Sequence, residues 1–226
     1  MRFRLPRPLH GWQEFTYEII IVVIGVLLAL GGAELIDTLH WQGEVRDFTK
    51  AVDFELGRDM GVYQATMRDH ACATRRLAEL KRLLVASRSG QQPKLAGQVG
   101  RPRSYSLYFN VWDNRGADLT SHLPLDVRTG YGGLYDEFHN YAEVIDSRTQ
   151  AWRDLQAFGE GEPLDHSDRM RLRSQLNRAE AVEVLLPANY DYIANLARPL
   201  GIKPIADPQN AQGPPSGLCK PLLAHA

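Results

Sequence analysis

The sequence predicts an all-α protein, in which an N-terminal transmembrane helix continues into an extramembrane antiparallel helical bundle. Residues 17–36, YEIIIVVIGVLLALGGAELI, contain no polar side chain between Glu18 and Glu34. After them, apolar residues recur at steps of three and four, which is the helical period. The one strand-like segment, SYSLYFNVW, has no partner strand to satisfy its edges. These three observations together favour helices throughout.

Residues 17–36 are long enough to be a membrane anchor, since about 20 helical residues span the roughly 30 Å hydrocarbon core of a bilayer. The alternative is a cleaved signal peptide, because Gly31, Gly32 and Ala33 are small residues near a potential cleavage point. The long segment before the apolar run, and the length of the run itself, favour an uncleaved anchor. No later apolar run approaches 18 residues, so we expect a single span.

The charges on the two sides of the anchor predict its orientation. Arg2, Arg4 and Arg7 precede it, with only Glu14 against them. After the apolar run come the acids Glu34, Asp37, Glu44 and Asp47, and the first basic residue is Arg46. Positive charge marks the cytoplasmic side, so the N-terminus is expected inside and the bulk outside. The predicted organisation is a cytosolic basic tail (1–16), a transmembrane anchor (17–36), a periplasmic helical bundle (37–200) and a Pro/Gly-rich tail (201–226).

Three long helices are expected in the bundle. The first is predicted to be one long helix that continues from the anchor to about Ser87, a stretch without proline. The alternative is a helix broken near Gly57 to Gly61, because glycine weakens helix propensity. The second covers about 126–158, and the third about 167–200, capped by Asp165 or Ser167 and kinked at Pro187. Between the first two, residues 105–121 are ambiguous, and we favour a short helix that contains Trp112.

The two cysteines, Cys72 and Cys219, both fall on the outer side of the predicted topology, where disulfides form. A bond between them would tie the C-terminal tail to the first outer helix and contribute about 4–5 kcal/mol in the chain-entropy treatment. The alternative is two unpaired thiols. No C-x-x-C motif or Cys/His cluster is present, so neither zinc nor a redox motif is supported.

Small residues form one stripe inside the anchor. Their spacing would let two membrane helices approach closely, which predicts a homodimer or a contact with another membrane protein. The alternative is that Gly and Ala are simply common in membrane helices. The stripe consists of Gly25, Ala29, Gly32 and Ala33.

Motifs for chemistry are missing. The sequence has no G-x-S-x-G, S-x-x-K, P-loop or G-x-G-x-x-G in the required context. Asp136 and His139 resemble half of a bundle metal site, but the second half is missing. The formal net charge of −1 argues against nucleic-acid binding. We therefore expect no catalytic residues, no cofactor and no metal. The aromatic side chains between residues 105 and 141 would line a ligand pocket or, more commonly, pack in a core.

Residues 17–30, YEIIIVVIGVLLAL, followed by Trp41 in LIDTLHWQGEV, resemble the N-terminal signature of an uncharacterised family of bacterial single-pass membrane proteins. That signature is an E-I-I-x-V-V-I-G-x-L-x-A-L anchor after a short basic tail, and the match covers about a tenth of the chain. The sequence departs from it at Gly31 to Glu34, where relatives often have Gln or Asn. The resemblance implies an anchor in a bacterial inner membrane and implies no activity.

The leading hypothesis is a non-enzymatic inner-membrane protein, whose partners are the lipid bilayer and another protein or a second copy. The first alternative is a periplasmic domain that senses a small ligand and signals through a partner. The second alternative, an enzyme, would need clustered polar groups that the sequence does not locate. A filled core with an exposed apolar stripe would favour the first hypothesis, and a deep pocket with converging polar groups would favour the alternatives.

Overall fold

A computed structural model describes residues 11–90, 93–158, 163–206 and 216–224. Most of the predicted tail 1–16, the turn at 159–162 and the stretch 207–215 lie outside the described residues. The helices are α1 (Trp12–Arg88), α2 (Asn110–Asp113), α3 (Ala117–His122), α4 (Leu125–Gln156), α5 (His166–Ala197) and α6 (Ser216–Cys219). In the described part of the chain the only β pairing is an isolated antiparallel bridge between Leu95 and Leu223. The predicted all-α class is confirmed.

The chain divides into one unit that ends at Phe48 and another that begins at Thr49. The described part of the first unit is the N-terminal part of α1. It is the one described helix that is long and apolar enough to cross a membrane, and no residue of its most apolar stretch is buried by protein. The large apolar side chains between Ile19 and Ile36 are all exposed. A helix satisfies its own backbone hydrogen bonds, which is the requirement for a segment placed in lipid.

The second unit is a bundle built from the later part of α1 together with α4 and α5. Tyr63 and Tyr141 stack face to face between α1 and α4, and Tyr63 Oη donates to the Leu186 carbonyl of α5 at 2.9 Å. Paired positions along the helices show that α5 runs antiparallel to both neighbours, whereas α1 and α4 run in the same direction. The predicted antiparallel arrangement therefore holds for α5 but not for the α1/α4 pair, because the chain returns along α1 before α4 begins. The predicted core residues of α4 are all buried: Leu134, Phe138, Tyr141, Ile145, Trp152 and Leu155.

The segment between α1 and α4 returns along α1 in an extended conformation. Its backbone N–H groups have no strand partner, so carboxylates of α1 accept them. Asp69 accepts from Arg103 at 3.0 Å, Asp59 from Tyr108 at 3.1 Å, and Glu55 from Val111 at 3.1 Å. The expected helix from residue 105 was wrong: residues 105–109 form no helix, and Trp112 lies in the four-residue helix α2. Because the chain returns along α1 before α4 begins, α4 starts at the end of the bundle where α1 enters it.

The C-terminal segment is tied to α1, and the disulfide between Cys72 and Cys219 is present. One turn further along α1, the buried guanidinium of Arg76 donates to backbone carbonyls of both the 98–99 and the 217–220 segments. Glu79 pairs with Arg76 at 2.9 Å and accepts the Leu222 N–H at 3.1 Å. Two irregular segments are thereby held together by one buried ion pair.

The glycines of α1 mark close packing rather than a break. The helix is continuous through Gly57 and Gly61, which confirms the predicted single long helix and excludes the alternative of a break near these glycines. The Ile205 N–H donates to the Gly57 carbonyl at 2.7 Å, and a Cβ added to Gly61 would lie 2.0 Å from the Ile205 carbonyl oxygen. The segment 202–206 therefore crosses α1 where the helix has no side chain.

The start of α5 follows the predicted capping chemistry. Asp165 is the N-cap and accepts the Asp168 N–H at 2.7 Å, while Asp168 accepts the Asp165 N–H in return. Ser167, the alternative cap, lies inside the helix. Pro187 also lies inside α5, as expected, and has no N–H to offer the Glu183 carbonyl.

Candidate functional site

Glu183 is an acidic residue at a core position of α5. The buried face of this helix contains Leu176, Ala179 and Leu186, and Glu183 continues the same helical spacing. Its side chain is almost fully buried. A carboxylate at this depth is stable only when charged and hydrogen-bonding partners surround it. The sequence analysis missed this site, and the available signal was an acid that interrupts the apolar stripe of a predicted helix.

Two helices, α4 and α1, supply the partners of Glu183. Arg148 of α4 donates from Nε at 2.7 Å and from Nη2 at 3.1 Å, and Trp152 Nε1 donates at 3.1 Å. His70 of α1 contacts the other carboxylate oxygen through Nδ1 at 2.9 Å. Burial pushes the pKa of Glu183 upward, but the hydrogen bonds and charges of His70, Arg148 and Trp152 outweigh it and hold the pKa below its usual value. Glu183 is therefore ionised at neutral pH.

An ionised Glu183 decides the tautomer of His70. A carboxylate can only accept hydrogen bonds, so the proton of this contact belongs to Nδ1 of the imidazole. In the neutral ring, Nε2 then carries a lone pair and is a hydrogen-bond acceptor. The side chain of His70 is 24% exposed, so part of the imidazole is accessible from outside the protein.

A groove of about 540 Å³ opens between α1 and α5 above this cluster. On α1 its lining residues follow one helical face over about three turns, from His70 to Lys81. Its middle is apolar, and its two ends are polar. The lining residues are His70, Thr74, Leu77, Ala78 and Lys81 of α1 and Glu180, Glu183, Val184 and Pro187 of α5.

The charges that line the groove are already paired within the protein. Lys81 Nζ lies 2.5 Å from Glu180 Oε1 at one end, and Glu183 is neutralised by the guanidinium of Arg148 at the other. A charged ligand would have to compete with one of these pairs. The groove therefore offers apolar contact along its middle and the imidazole of His70 at the end next to Glu183.

The outer face of α5, next to the groove, exposes a row of apolar side chains. Val184 is 74% exposed, Leu185 58% and Tyr192 52%. With the exposed Ala181 and Ala188 they follow the spacing i, i+3, i+4, i+7 and i+11 of one helix face. We call these five residues the outer stripe.

A second set of buried carboxylates has a structural role. Burial raises the pKa of Asp59 to about 8, and it also raises the pKa of Asp69. Both side chains accept backbone N–H groups of the extended segment, as described above. These hydrogen bonds hold the segment against α1, and they account for the burial of the two carboxyl groups.

The residues predicted as sites have different outcomes. Cys72 and Cys219 are bonded, as expected. His139 is half exposed, lies 3.5 Å from Asp113 and stacks on Phe109, rather than forming a site with Asp136. In the described residues no group of three or more His, Cys, Asp or Glu is arranged to hold a metal. The anchor stripe remains a prediction, with its members exposed on α1: Gly25, Ala29, Gly32 and Ala33.

The predicted aromatic set packs mainly as core. Trp112 stacks on Tyr135 with ring centroids 5.2 Å apart, and Tyr131, Phe138 and Tyr141 are buried. Tyr135 Oη donates to Glu55 at 2.6 Å, and burial raises the pKa of this phenol. None of these residues lines the α1/α5 groove.

The class of protein that fold and site define is a helical bundle that begins with a span-length apolar helix and has a groove beside an exposed apolar stripe. No protein-family model, curated protein or solved structure matches the chain.

Proposed function

We propose that this chain is a single-pass bacterial inner-membrane protein whose periplasmic helical domain binds another protein, or a second copy of itself, through the outer stripe of α5. The proposal assigns it an interaction role and no catalysis. The observation that carries it is the exposure of Val184, Leu185 and Tyr192 on one helix face.

The outer stripe is unusual for a surface that faces only water. The exposed face of an amphipathic helix is normally polar, and single apolar residues there need no explanation. Here, however, the apolar residues are consecutive at helical spacing, which is how an amphipathic helix presents anchors to a groove or to another helix. A partner that covers such a row gains about 25 cal/mol of binding free energy for each Å² of apolar surface removed from water.

The membrane location is supported by the first unit. The apolar part of α1 exposes its side chains and satisfies its own backbone, as a segment in lipid must. The basic residues before it favour an N-terminus in the cytoplasm, and the disulfide fits an oxidising compartment such as the periplasm. A reporter enzyme that is active only outside the cytoplasm, fused after Ala226, is expected to be active. Activity of a cytoplasmic reporter at the same place would reverse the orientation.

The interaction is tested with a photo-crosslinking amino acid at Leu185 in native membranes. We expect a discrete adduct, whose mass distinguishes a second copy from another protein. The matched control carries the crosslinker at Asp146, an exposed polar position on α4. A second variant, Val184→Asp, should abolish the adduct formed from position 185, because it places a charge in the covered row. Equal yields at positions 185 and 146 would refute the proposal.

The small residues of the anchor are the second proposed contact. If the partner is a second copy, Gly25→Leu should lower dimer yield in membranes, because a bulky side chain separates helices that pack through small residues. Leu28→Ala, a substitution outside the stripe, is the control. A dimer yield that responds equally to both substitutions would remove the stripe from the interface.

A further inference from the structure

The Glu183 cluster buries an ion pair that adds little to the free energy of folding, which raises the question of its role. Desolvating a carboxylate and a guanidinium offsets most of their attraction, so a buried ion pair adds little net stability compared with apolar residues. The Arg148–Glu183 pair is nevertheless fully buried, and Trp152 is hydrogen-bonded to it. The cluster reaches the groove through His70 and Glu183, which both line it.

The geometry points to a ligand site: we propose that the α1/α5 groove binds a small, uncharged, apolar molecule that carries a hydroxyl group, with His70 Nε2 accepting the hydroxyl hydrogen bond. This site goes beyond the proposed function, which uses the outer stripe; Val184 is the one residue that belongs to both surfaces. The volume of about 540 Å³ lies within the usual range for small-molecule sites.

The polarity of the ligand follows from His70. The bond from Nδ1 to Glu183 leaves Nε2 of the neutral ring as an acceptor, so the inner end of the groove takes a hydrogen-bond donor. The apolar body follows from the apolar residues of the lining, which include Leu77 and Ala78 of α1 and Pro187 of α5.

The charge of the ligand follows from the ion pairs. Lys81 is bonded to Glu180, and Glu183 to Arg148, so the groove has no uncompensated charge for an ionic ligand. An uncharged hydroxyl compound keeps both pairs intact. Phenols and alcohols with an apolar body are the class that meets all three conditions.

The test compares 4-ethylphenol with 4-ethylanisole, the methyl ether that lacks the donor. Both are titrated calorimetrically into the full chain in lipid nanodiscs, and the heats from empty nanodiscs are subtracted. We expect the phenol to bind with one site per chain and about two- to tenfold more tightly than the ether, which is the worth of one net hydrogen bond. The ether is the more apolar probe, so non-specific partitioning would produce the opposite order.

Two variants locate the binding. His70→Phe should remove the preference for the phenol while leaving apolar binding, and Ala78→Trp should lower the affinity for both probes by filling the groove without touching the ion cluster. His166→Phe, at an exposed histidine at the start of α5, is the matched control and should behave like the parent. Absence of phenol binding, equal affinity for the two probes, or binding that survives Ala78→Trp would each overturn the proposal. Because Ala78→Trp leaves the His70–Glu183 contact in place, a failure of His70→Phe to fold does not remove the test.

Discussion

Alanine substitutions at three glycines in helices of the second unit test the packing of the segment 202–206 on α1. In an open helix interior, Gly→Ala stabilises by up to about 1 kcal/mol through helix propensity. The substitution Gly133→Ala should show this gain, because nothing lies within 4 Å of the added Cβ. At Gly61 the Cβ would lie 2.0 Å from the Ile205 carbonyl oxygen, so Gly61→Ala should destabilise the protein.

The loss of stability expected for Gly61→Ala follows from the atoms that the added Cβ would displace. The obstructing atom is backbone, and the same residue donates its N–H to the Gly57 carbonyl at 2.7 Å. Relief of the clash therefore breaks that hydrogen bond, which is worth about 1 kcal/mol, and exposes part of the buried Ile202 and half-buried Ile205 side chains, at about 1–3 kcal/mol. After subtracting the helix-propensity gain, the net loss is about 2 kcal/mol.

Gly130 provides an intermediate case. Its Cβ would lie 2.8 Å from Leu200 Cδ2, which is the end of a flexible side chain that can rotate away. Gly130→Ala should therefore fall between the other two substitutions, close to neutral.

Thermal unfolding of the full chain in detergent, followed by near-UV circular dichroism, measures this order because the signal reports aromatic packing rather than total helix. A change of about 2 kcal/mol corresponds to about 4–8 °C for a folded unit of this size. The expected order of melting temperatures is Gly133→Ala, then Gly130→Ala, then Gly61→Ala. A Gly61→Ala protein as stable as Gly133→Ala would show that the segment 202–206 does not lie against α1.

Three further predictions concern the disulfide and the buried charges. Cys72→Ser should lower the free energy of unfolding by up to about 5 kcal/mol, measured by urea denaturation, because the bond closes a loop across a sequence separation of 147 residues. Glu183→Gln should cost about 3–5 kcal/mol in the same assay, since it leaves the Arg148 guanidinium buried without its counter-charge. The folded-state pKa of Asp59, about 8, lies above its unfolded value of 3.8, so the folded state binds more protons and stability falls as pH rises through this window. Asp59→Asn should therefore gain stability relative to the parent between about pH 4 and pH 8.

Each of these has a matched comparison. Cys72→Ser and the parent protein under reducing conditions should lose the same amount of unfolding free energy. A reduced parent whose unfolding free energy is unchanged would contradict the contribution of the disulfide. Glu143→Gln, at an exposed acid on α4, should be neutral, and an equal effect at both positions would contradict the role of burial. A constant difference between Asp59→Asn and its parent across the pH range would contradict the raised pKa.

Local patterns predicted much of the architecture because they act over a few residues. The helix stripes of α4 and α5 were predicted from apolar spacing, and the cap of α5 from one acidic residue before it. The segment 105–109 was not predictable in this way. Its aromatic composition is compatible with helix or strand, and its actual conformation depends on carboxylates of α1 that lie more than 30 residues earlier in the chain.

The candidate site was largely invisible in the sequence for the same reason. Glu183 looked like an interruption of an apolar run, and its partners Arg148 and His70 belong to two other helices. The spacing of apolar residues predicts that a position is buried. It carries no information about which distant side chain occupies the other side of the contact.

By itself the sequence determined the span-length apolar helix, the helical class and the pair of cysteines, because composition, period and residue count are properties of local chain segments. The tertiary structure alone decided that Gly61 meets Ile205, that Arg76 joins two irregular segments, and that His70 and Glu183 meet beside a groove. These contacts join residues that are distant in the chain, and they form only when the helices pack.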